Sequence, residues 1–535
     1  RLDWNINDAN HLAVRYNYTL DRGWVPTNRS SGNAVRKASA DRISQYGMAF
    51  ANSIYSDDNL VHSFAFDLNS RFSNNLSNQL LVTFSKLDNV RGSTSDKFPF
   101  IDILDADDYA AGKIMPYISA GYELFTWNNG VHNNVVTVKD DITYFTGNHK
   151  ITAGLTYEYQ MVDNSYMRNG TGYYRYASLD DFLNQRAPET VCLTYGYDGE
   201  ENPAARVRYH QIGAYGQDEW TPVENFKLTY GLRLDMIAFD NQDLMTNNAI
   251  LAVDYNGKNI DTGKWPTTKL RVSPRIGFTW DVLGNKSLKV RGGTGFFTGR
   301  LPLVFFTNMP TNSGMVQNLT SISTSKDGKA PAELQQFAGK MITDVNEFIQ
   351  KLHSIDPEKY PLTITPDKGV LPDAIQAVDP KFKMPTVWKT SLAVDYQIPV
   401  GFPLTVTGEF MYNKTINAVM LQDWNMVDPA GFSRLTGIDN RHIFPETGSK
   451  YTETNAYVLT NTNKGYGYTA NVLINAQPIP ELNIVASYTH TVQKEVSGMP
   501  GSNAESAFTY IPSIEGPNHV GVHNSQYVTP DRAFV

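Results

Sequence analysis

The segment SPRIGFTWDVLGNKSLKVRGGTGFFTGRLP, residues 273–302, carries a glycine-rich run, GGTGFFTG, of the kind whose backbone amides can cradle a phosphate. Dinucleotide binding needs G-x-G-x-x-G between a strand and a helix. Here Gly293, Gly295 and Gly299 are spaced G-x-G-x-x-x-G, and Pro302 follows with no helical pattern. A Walker loop needs Lys and then Ser or Thr after its last glycine, whereas Gly299 precedes Arg300. The run reads instead as a strand whose small residues let another backbone come close.

Other constellations lack the partners that chemistry requires. The histidines are scattered, with no H-E-x-x-H for zinc and no G-x-S-x-G nucleophile elbow. Asp105, Asp107 and Asp108 in DADD lack the rest of an EF-hand loop and read as a solvated loop. Asn169-Gly170-Thr171 is a triplet that an Asn- and Thr-rich chain yields by chance. Cys192 is the single cysteine, which excludes an intramolecular disulfide framework and a zinc site built from several thiolates. No catalytic, cofactor-binding or metal-binding set emerges, so neither an enzyme nor a cofactor is expected. One stretch suits binding: GYYRYASLDDFLNQRAPE, residues 172–189, in which Tyr173, Tyr174, Tyr176 and Phe182 could stack on sugars or peptides or simply pack a loop.

The elements that must carry these residues are strands. The chain has 535 residues, 41% hydrophobic, 19% charged and 12% aromatic, a mixture that suits strands joined by polar turns. A net charge of −8 argues against a nucleic-acid partner, which calls for a basic face. No run of about 18 apolar residues occurs, so no transmembrane helix is expected. Membrane-spanning strands, however, need only about 9–11 residues with every second one apolar. In HLAVRYNYTLD, Leu12, Val14, Tyr16, Tyr18 and Leu20 alternate with Ala13, Arg15, Asn17, Thr19 and Asp21. FKLTYGLRLDM, KITAGLTYEYQ and LTVTGEFMY repeat that period of two, the mark of a strand with two different faces. Arg15, Lys227, Arg233, Asp235, Arg275, Asp281, Lys289, Arg291 and Glu409 all fall on the polar side.

A soluble sandwich gets by with strands of about five or six residues. The apolar faces here stay almost free of charge over about ten residues, as lipid contact demands, because a midplane Lys or Arg costs about 2–4 kcal/mol. The expectation is an all-β, large antiparallel transmembrane barrel in the outer membrane, with the lipid bilayer as its surroundings. Tyr159, Trp220, Phe226, Phe296, Trp388 and Tyr488, near strand ends, suit its interfacial aromatic girdles.

Connection lengths support this. Short links at 7–10, 73–78, 146–148, 221–225, 283–287, 399–403 and 478–481 alternate with long ones at about 22–60, 90–130, 163–206, 240–269, 301–384, 417–455 and 496–527. Outer-membrane barrels alternate tight periplasmic turns with long extracellular loops in this way. The count is about fourteen strands plus the start of another at DRAFV. Bacterial barrels have even numbers of strands, and both ends of the chain read as lying inside a larger barrel, so residues 1–535 form one barrel domain of a fragment or processed product. Within the long insert 301–384, Leu334, Phe337, Met341, Val345, Phe348 and Leu352 recur at three- and four-residue steps behind Pro331, which predicts an amphipathic helix over the mouth.

With strands placed, GNHKITAGLTYEY, GLRLD, SPRIGFTWDV leading into RGGTGFFTGRLP, DPKFKMPTVWKTSLAVDYQIPVG and YVLTNTNKGYGYT together resemble the barrel of Oar-like TonB-dependent outer-membrane receptors of Bacteroidota-type bacteria. The resemblance implies a 22-stranded barrel closed by an N-terminal plug, a ligand captured by extracellular loops, and import driven through TonB without chemistry. A surface lipoprotein is a further partner it allows. This chain departs from the pattern in showing no plug, no TonB box and no closing strand with a terminal aromatic. Within that frame Arg15, Arg233 and Arg291 are the candidate lumen residues that hold a plug. Ile276, Phe278, Trp280, Val282, Leu288 and Val290 are expected to face lipid.

Two rivals come from other classes. A passive porin or an adhesin would use the same barrel without a plug. A soluble carbohydrate-active enzyme would need paired carboxylates in a groove, and the alternation names no such pair.

Overall fold

The computed structural model describes residues 1–534 other than 373, 500, 510, 512, 514, 515, 529 and 530. Fourteen antiparallel strands form one continuous wall. They are β1 (Leu2–Asn7), β2 (Asn10–Val25), β3 (Tyr55–Arg71), β4 (Leu76–Ser93), β5 (Asn129–Thr146), β6 (His149–Tyr166) and β7 (Ala205–Val223). The second half comprises β8 (Phe226–Phe239), β9 (Lys269–Asp281), β10 (Leu288–Thr298), β11 (Thr386–Gln397), β12 (Leu404–Asp423), β13 (Tyr466–Ile479) and β14 (Leu482–Glu495). Each strand pairs with its sequence neighbour, as in Arg15↔Ala65 between β2 and β3 and Trp280↔Val290 between β9 and β10. The free side of β14 takes the short segments His523–Asn524 and Arg532–Phe534. All short links lie at one end of the wall and all long ones at the other, as the sequence pattern predicts.

The glycine-rich run is β10 itself. Gly277 and Gly293 face each other across β9 and β10. A Cβ on Gly293 would come within 3.0 Å of the Ile276 carbonyl oxygen, so the close backbone approach is real. Between Asp281 and Leu288 the chain turns at Gly284 and Lys286, both at positive φ.

Many wall strands are longer than the bilayer requires. β6 has 18 residues and β12 has 20, whereas about ten suffice to span. The surplus lies at the loop end. Beyond Asn417, β12 leaves β11 and its residues Ala418–Asp423 pair with Asn455–Thr462, which adds Ala374–Val378 in parallel.

The loops fold into a second layer. A six-stranded sheet unites Met48–Ala49, Phe100–Leu104, Pro116–Ala120, Tyr173–Tyr176, Thr190–Gly196 and Gln317–Ser323, drawn from four different loops. The amphipathic segment packs on it through Leu334, Phe337, Phe348 and Leu352, all buried. It is two helices rather than one: a 3-10 turn, Ala332–Phe337, and an α-helix, Val345–Ile355. Gly339 at φ +100° breaks the run, and the Asp344 side chain accepts from the Glu347 amide to restart it.

The loop layer identifies the inner face of the wall. Val162, Val207 and Tyr209, on the polar side of β6 and β7, are buried under Phe306 and Met309 of the helix Val304–Thr311. On the opposite side Ile212, Leu232, Leu270 and Ile276 stay exposed by 47%, 45%, 62% and 48%. Loops therefore fill the polar side at the mouth and leave an apolar band on the other, the arrangement that lipid contact requires. Two carboxylates depart from the expected segregation. Asp140 of β5 lies on the apolar side opposite Leu80 and Leu155, where Asn78 Nδ2 donates to it at 2.6 Å. Asp218 lies on the same side near the turn end, where His149 Nδ1 sits 2.7 Å from it and the Tyr230 hydroxyl donates to it at 2.8 Å.

Candidate functional site

Where the inner faces of β4–β6 meet the loop layer there is a cavity of about 700 Å³. Its floor is wall: Arg91 from β4, Asn129 from β5, and Asn164 and Tyr166 from β6. These positions are odd on β4 and β5 and even on β6, and the register Asn129↔Tyr166 and Val90↔Gly130 sets them side by side on the inner face. The sides are the helix Val304–Thr311, the strand Gln317–Ser323 and the segment around Ser502–Ser506.

Polar residues predominate in the lining beside an apolar part that includes Val131, Val304, Leu319 and Leu371, and its charge opposes that of the chain. Among the described residues it holds Lys37, Arg91 and Arg168 against one carboxylate, Glu505, while the whole protein carries −8. The Arg91 guanidinium stacks 4.7 Å from the Tyr55 ring centre, and that of Arg168 lies 6.0 Å from Tyr166. Neither makes an ion pair among the described residues. The aromatic faces hold the guanidinium planes, and their N–H groups are able to meet an acid group.

Two buried ion pairs make the loop layer rigid. Arg42 grips Asp102 with Nε at 2.8 Å and Nη2 at 2.6 Å, while the hydroxyls of Ser119 and Tyr173 donate to the same carboxylate at 2.6 Å each. Arg42 also donates to the Ser30 carbonyl at 2.8 Å, so one node ties three loops together. Burial alone would raise the Asp102 carboxyl, yet the adjacent guanidinium and these hydrogen bonds hold it below the ordinary carboxylate range. Arg175 forms the second node, donating to Glu189 at 2.7 Å, the Arg36 carbonyl at 2.9 Å and Thr190 at 3.2 Å. Glu123, fully buried near Arg91, is pushed up by desolvation. Cys192 is buried, its thiol raised to about 12 by desolvation, and so is unreactive.

The aromatics singled out in the sequence serve that layer rather than the cavity. Tyr173 and Tyr174 are 0% exposed and Tyr176 is 2% exposed. Tyr173 donates to Asp102, Tyr174 donates to the Ile342 carbonyl at 3.1 Å, and Tyr176 meets Phe182 edge-on at 5.3 Å between ring centres. Their flat faces are spent on Phe348, Phe182 and the sheet, and none lines the cavity.

The three lumen arginines lie on the inner face at separate places. Arg233 is bound to Asp235 at 2.7 Å and to Thr156 at 3.0 Å. Arg291 lies 3.2 Å from Asp395 and 3.4 Å from Glu409. Arg15, opposite Ala65, makes no ion pair among the described residues. The cavity residues themselves escaped sequence reasoning, since single asparagines in distant segments form no local pattern; the inward parity of Asn164 and Tyr166 on their strand is the one signal that was present. Among the described residues no three His, Cys, Asp or Glu side chains converge as a metal site.

Comparison with known structures finds the same architecture. The chain aligns with the outer membrane transporter YddB from Escherichia coli at TM-score 0.50 and 12% identity, covering 92% of this chain and 47% of that one. A point mutant of the ferric enterobactin receptor PfeA from Pseudomonas aeruginosa aligns at TM-score 0.45 and 11% identity over 91% and 50% of the two chains. The FrpB iron transporter from Neisseria meningitidis gives 0.45 and 11% over 95% and 54%. This chain thus spans about half the length of the solved structures it matches. No curated protein matches it at the sequence level. The outer membrane beta barrel domain family matches residues 1–524, which with the antiparallel wall, the outward apolar band and the filled mouth places the protein in the outer membrane: the chain belongs to the outer membrane β-barrel domain family.

Proposed function

We propose that the chain is the wall and mouth of an Oar-like, TonB-dependent receptor that captures a ligand at its extracellular side and passes it to the periplasm. The observation that carries this reading is the cation-lined cavity, roofed by a rigid loop layer and floored by the inner face of the wall. A site so placed binds from outside and opens inward, and it needs no reaction at the ligand. In this reading a plug packs against the polar inner face, with Arg15, Arg233 and Arg291 among its contacts, and TonB acts through that plug. A surface lipoprotein would serve as a lid by the same resemblance.

The test is uptake by cells carrying the receptor gene. Cell-bound ligand should enter the periplasm only with an energised inner membrane and intact TonB, and uncoupling should leave surface binding while abolishing entry. A steady ion conductance of the purified protein in planar bilayers, independent of any energy source, would identify a porin instead. Surface binding with no entry under any condition would identify an adhesin.

A further inference from the structure

Three side chains with unengaged donors line the mouth cavity. The Arg91 and Arg168 guanidiniums make no hydrogen bond or ion pair among the described residues, and none of their nitrogens belongs to the buried atoms without partners. Both forks therefore stand open to solvent in residues that line the cavity. Tyr166, the last residue of β6, lines it too, and its hydroxyl is likewise unbonded and open. The Phe125 ring stacks on Tyr166 at 6.3 Å between centres and 14° between planes, which holds the phenol in place. Burial raises the Tyr166 phenol, while the positive charges of Arg168 and Arg91 both reach it and oppose the rise, so both guanidiniums lie around one hydroxyl.

No acid of the chain claims this cluster. Glu123, buried near Arg91, accepts from the Phe125 amide at 2.9 Å and the Thr126 hydroxyl at 2.7 Å and pairs with neither arginine. Glu505, the one carboxylate in the lining, makes no ion pair among the described residues. Elsewhere the loop layer neutralises its buried arginines, Arg42 on Asp102 and Arg175 on Glu189. In a chain of net charge −8, Arg91 and Arg168 lack the counter-charge that those two receive.

That combination selects a ligand chemistry. Guanidinium N–H groups in fork geometry match the paired oxygens of a carboxylate, sulfate or phosphate, and a phenol O–H adds a further donor. A neutral ligand would leave the two like charges compensated by solvent alone. The volume of about 700 Å³ lies within the roughly 300–1,000 Å³ of small-molecule sites, and Val131, Val304, Leu319 and Leu371 give a carbon skeleton apolar surface to rest on. We propose that Arg91, Arg168 and Tyr166 form an oxyanion subsite in the mouth cavity, and that the ligand is a small organic acid whose acid group meets these three side chains. This inference rests on the receptor reading above and names its ligand chemistry.

The full-length receptor, purified in detergent, is dialysed against a mixture of small carboxylates, sulfate esters and phosphate esters with their amide or alcohol counterparts. Bound compounds are identified by mass spectrometry. Acids should be retained and their neutral counterparts should not, and the acid class retained identifies the source of the oxyanion. Arg168→Gln and Arg91→Gln should each weaken a retained acid about tenfold, and Tyr166→Phe about threefold. Lys326→Gln, which removes an equal charge from an exposed loop, should change nothing. Heat-modifiable migration in SDS shows which variants are folded, and the comparison of acids with neutral counterparts on the unaltered receptor decides if none is. Equal retention of acids and neutral counterparts, or acid binding unmoved in folded Arg168→Gln and Arg91→Gln proteins, overturns the subsite and leaves a receptor standing. Retention of no acid overturns the subsite too, and a steady conductance in bilayers overturns the receptor as well.

Discussion

Asp102 shows how much of the mouth depends on single residues. Its carboxylate receives two bonds from Arg42 and one each from Ser119 and Tyr173, all buried. Because its native pKa is lowered, the folded state binds fewer protons there than the unfolded chain. The stabilisation is complete above the unfolded carboxylate value of about 4 and is lost as pH falls through the lower native value. Hydrogen exchange of Phe100–Leu104 and Tyr173–Tyr176 should thus accelerate below about pH 4, while wall strands stay protected. Asp102→Asn strands the Arg42 cation and should cost about 3–5 kcal/mol at neutral pH, with the acid-dependent step gone. A step of equal size in wild type and variant would mean that another group controls the loops.

The strand is the scale at which membrane fit is decided. On β7, Trp220 at the turn end and His210 toward the mouth are ten residues apart on the outer face. At about 3.3 Å per residue and a tilt of about 40°, that separation is about 25 Å, the height of an apolar band. His210 faces the Tyr157 hydroxyl at 2.9 Å, and the Tyr16 hydroxyl and His62 repeat the pair at 2.8 Å, marking a polar upper rim. Trp220 stacks on His149 at the lower rim. Val290 lies within the band, opposite Trp280 and Val394, and Arg291 next to it points inward to Asp395. Val290→Arg should cost about 2–4 kcal/mol at lipid contact and prevent assembly, seen as loss of heat-modifiable migration in SDS. Arg291→Ser should assemble normally. Equal amounts of both in the outer membrane would reverse the assignment of the faces.

At the scale of the molecule, the inner face is polar but largely self-satisfied, which bears on how it would hold a plug. Arg233 and Arg291 are engaged with Asp235 and with Asp395 and Glu409, whereas Arg15 makes no ion pair among the described residues. Neutralising all three to Gln should loosen the packing of a plug, raising sensitivity to large antibiotics and lowering energised uptake. Arg15→Gln alone should account for a measurable share, because it removes no wall contact. Unchanged antibiotic exclusion and uptake in the triple variant would remove these residues from any plug interface.

The wall was legible in the sequence because its rules are local. A period of two sets the faces, and turn and loop lengths set the ends, so strands such as FKLTYGLRLDM and the glycine-rich β10 could be oriented residue by residue. The amphipathic periodicity near 334–352 was also legible, but the sequence pattern hid its break at Gly339, since a repeat of three and four survives a short interruption. The mouth was not legible. An aromatic run such as Tyr173–Tyr176 has the same composition whether it stacks on a ligand or on Phe348, and only the partners decide. The cavity is assembled from residues as distant as Asn33 and Ser506. The direction of each lining amide depends on which group the tertiary fold brings within reach, the Phe125 carbonyl for Asn129 and the Ala504 N–H for Gln376, and no spacing along the chain encodes that. The sequence by itself determined a two-faced antiparallel wall; the loop packing alone decided where that wall carries a cavity and which side chains line it, because those side chains come from segments far apart in the chain.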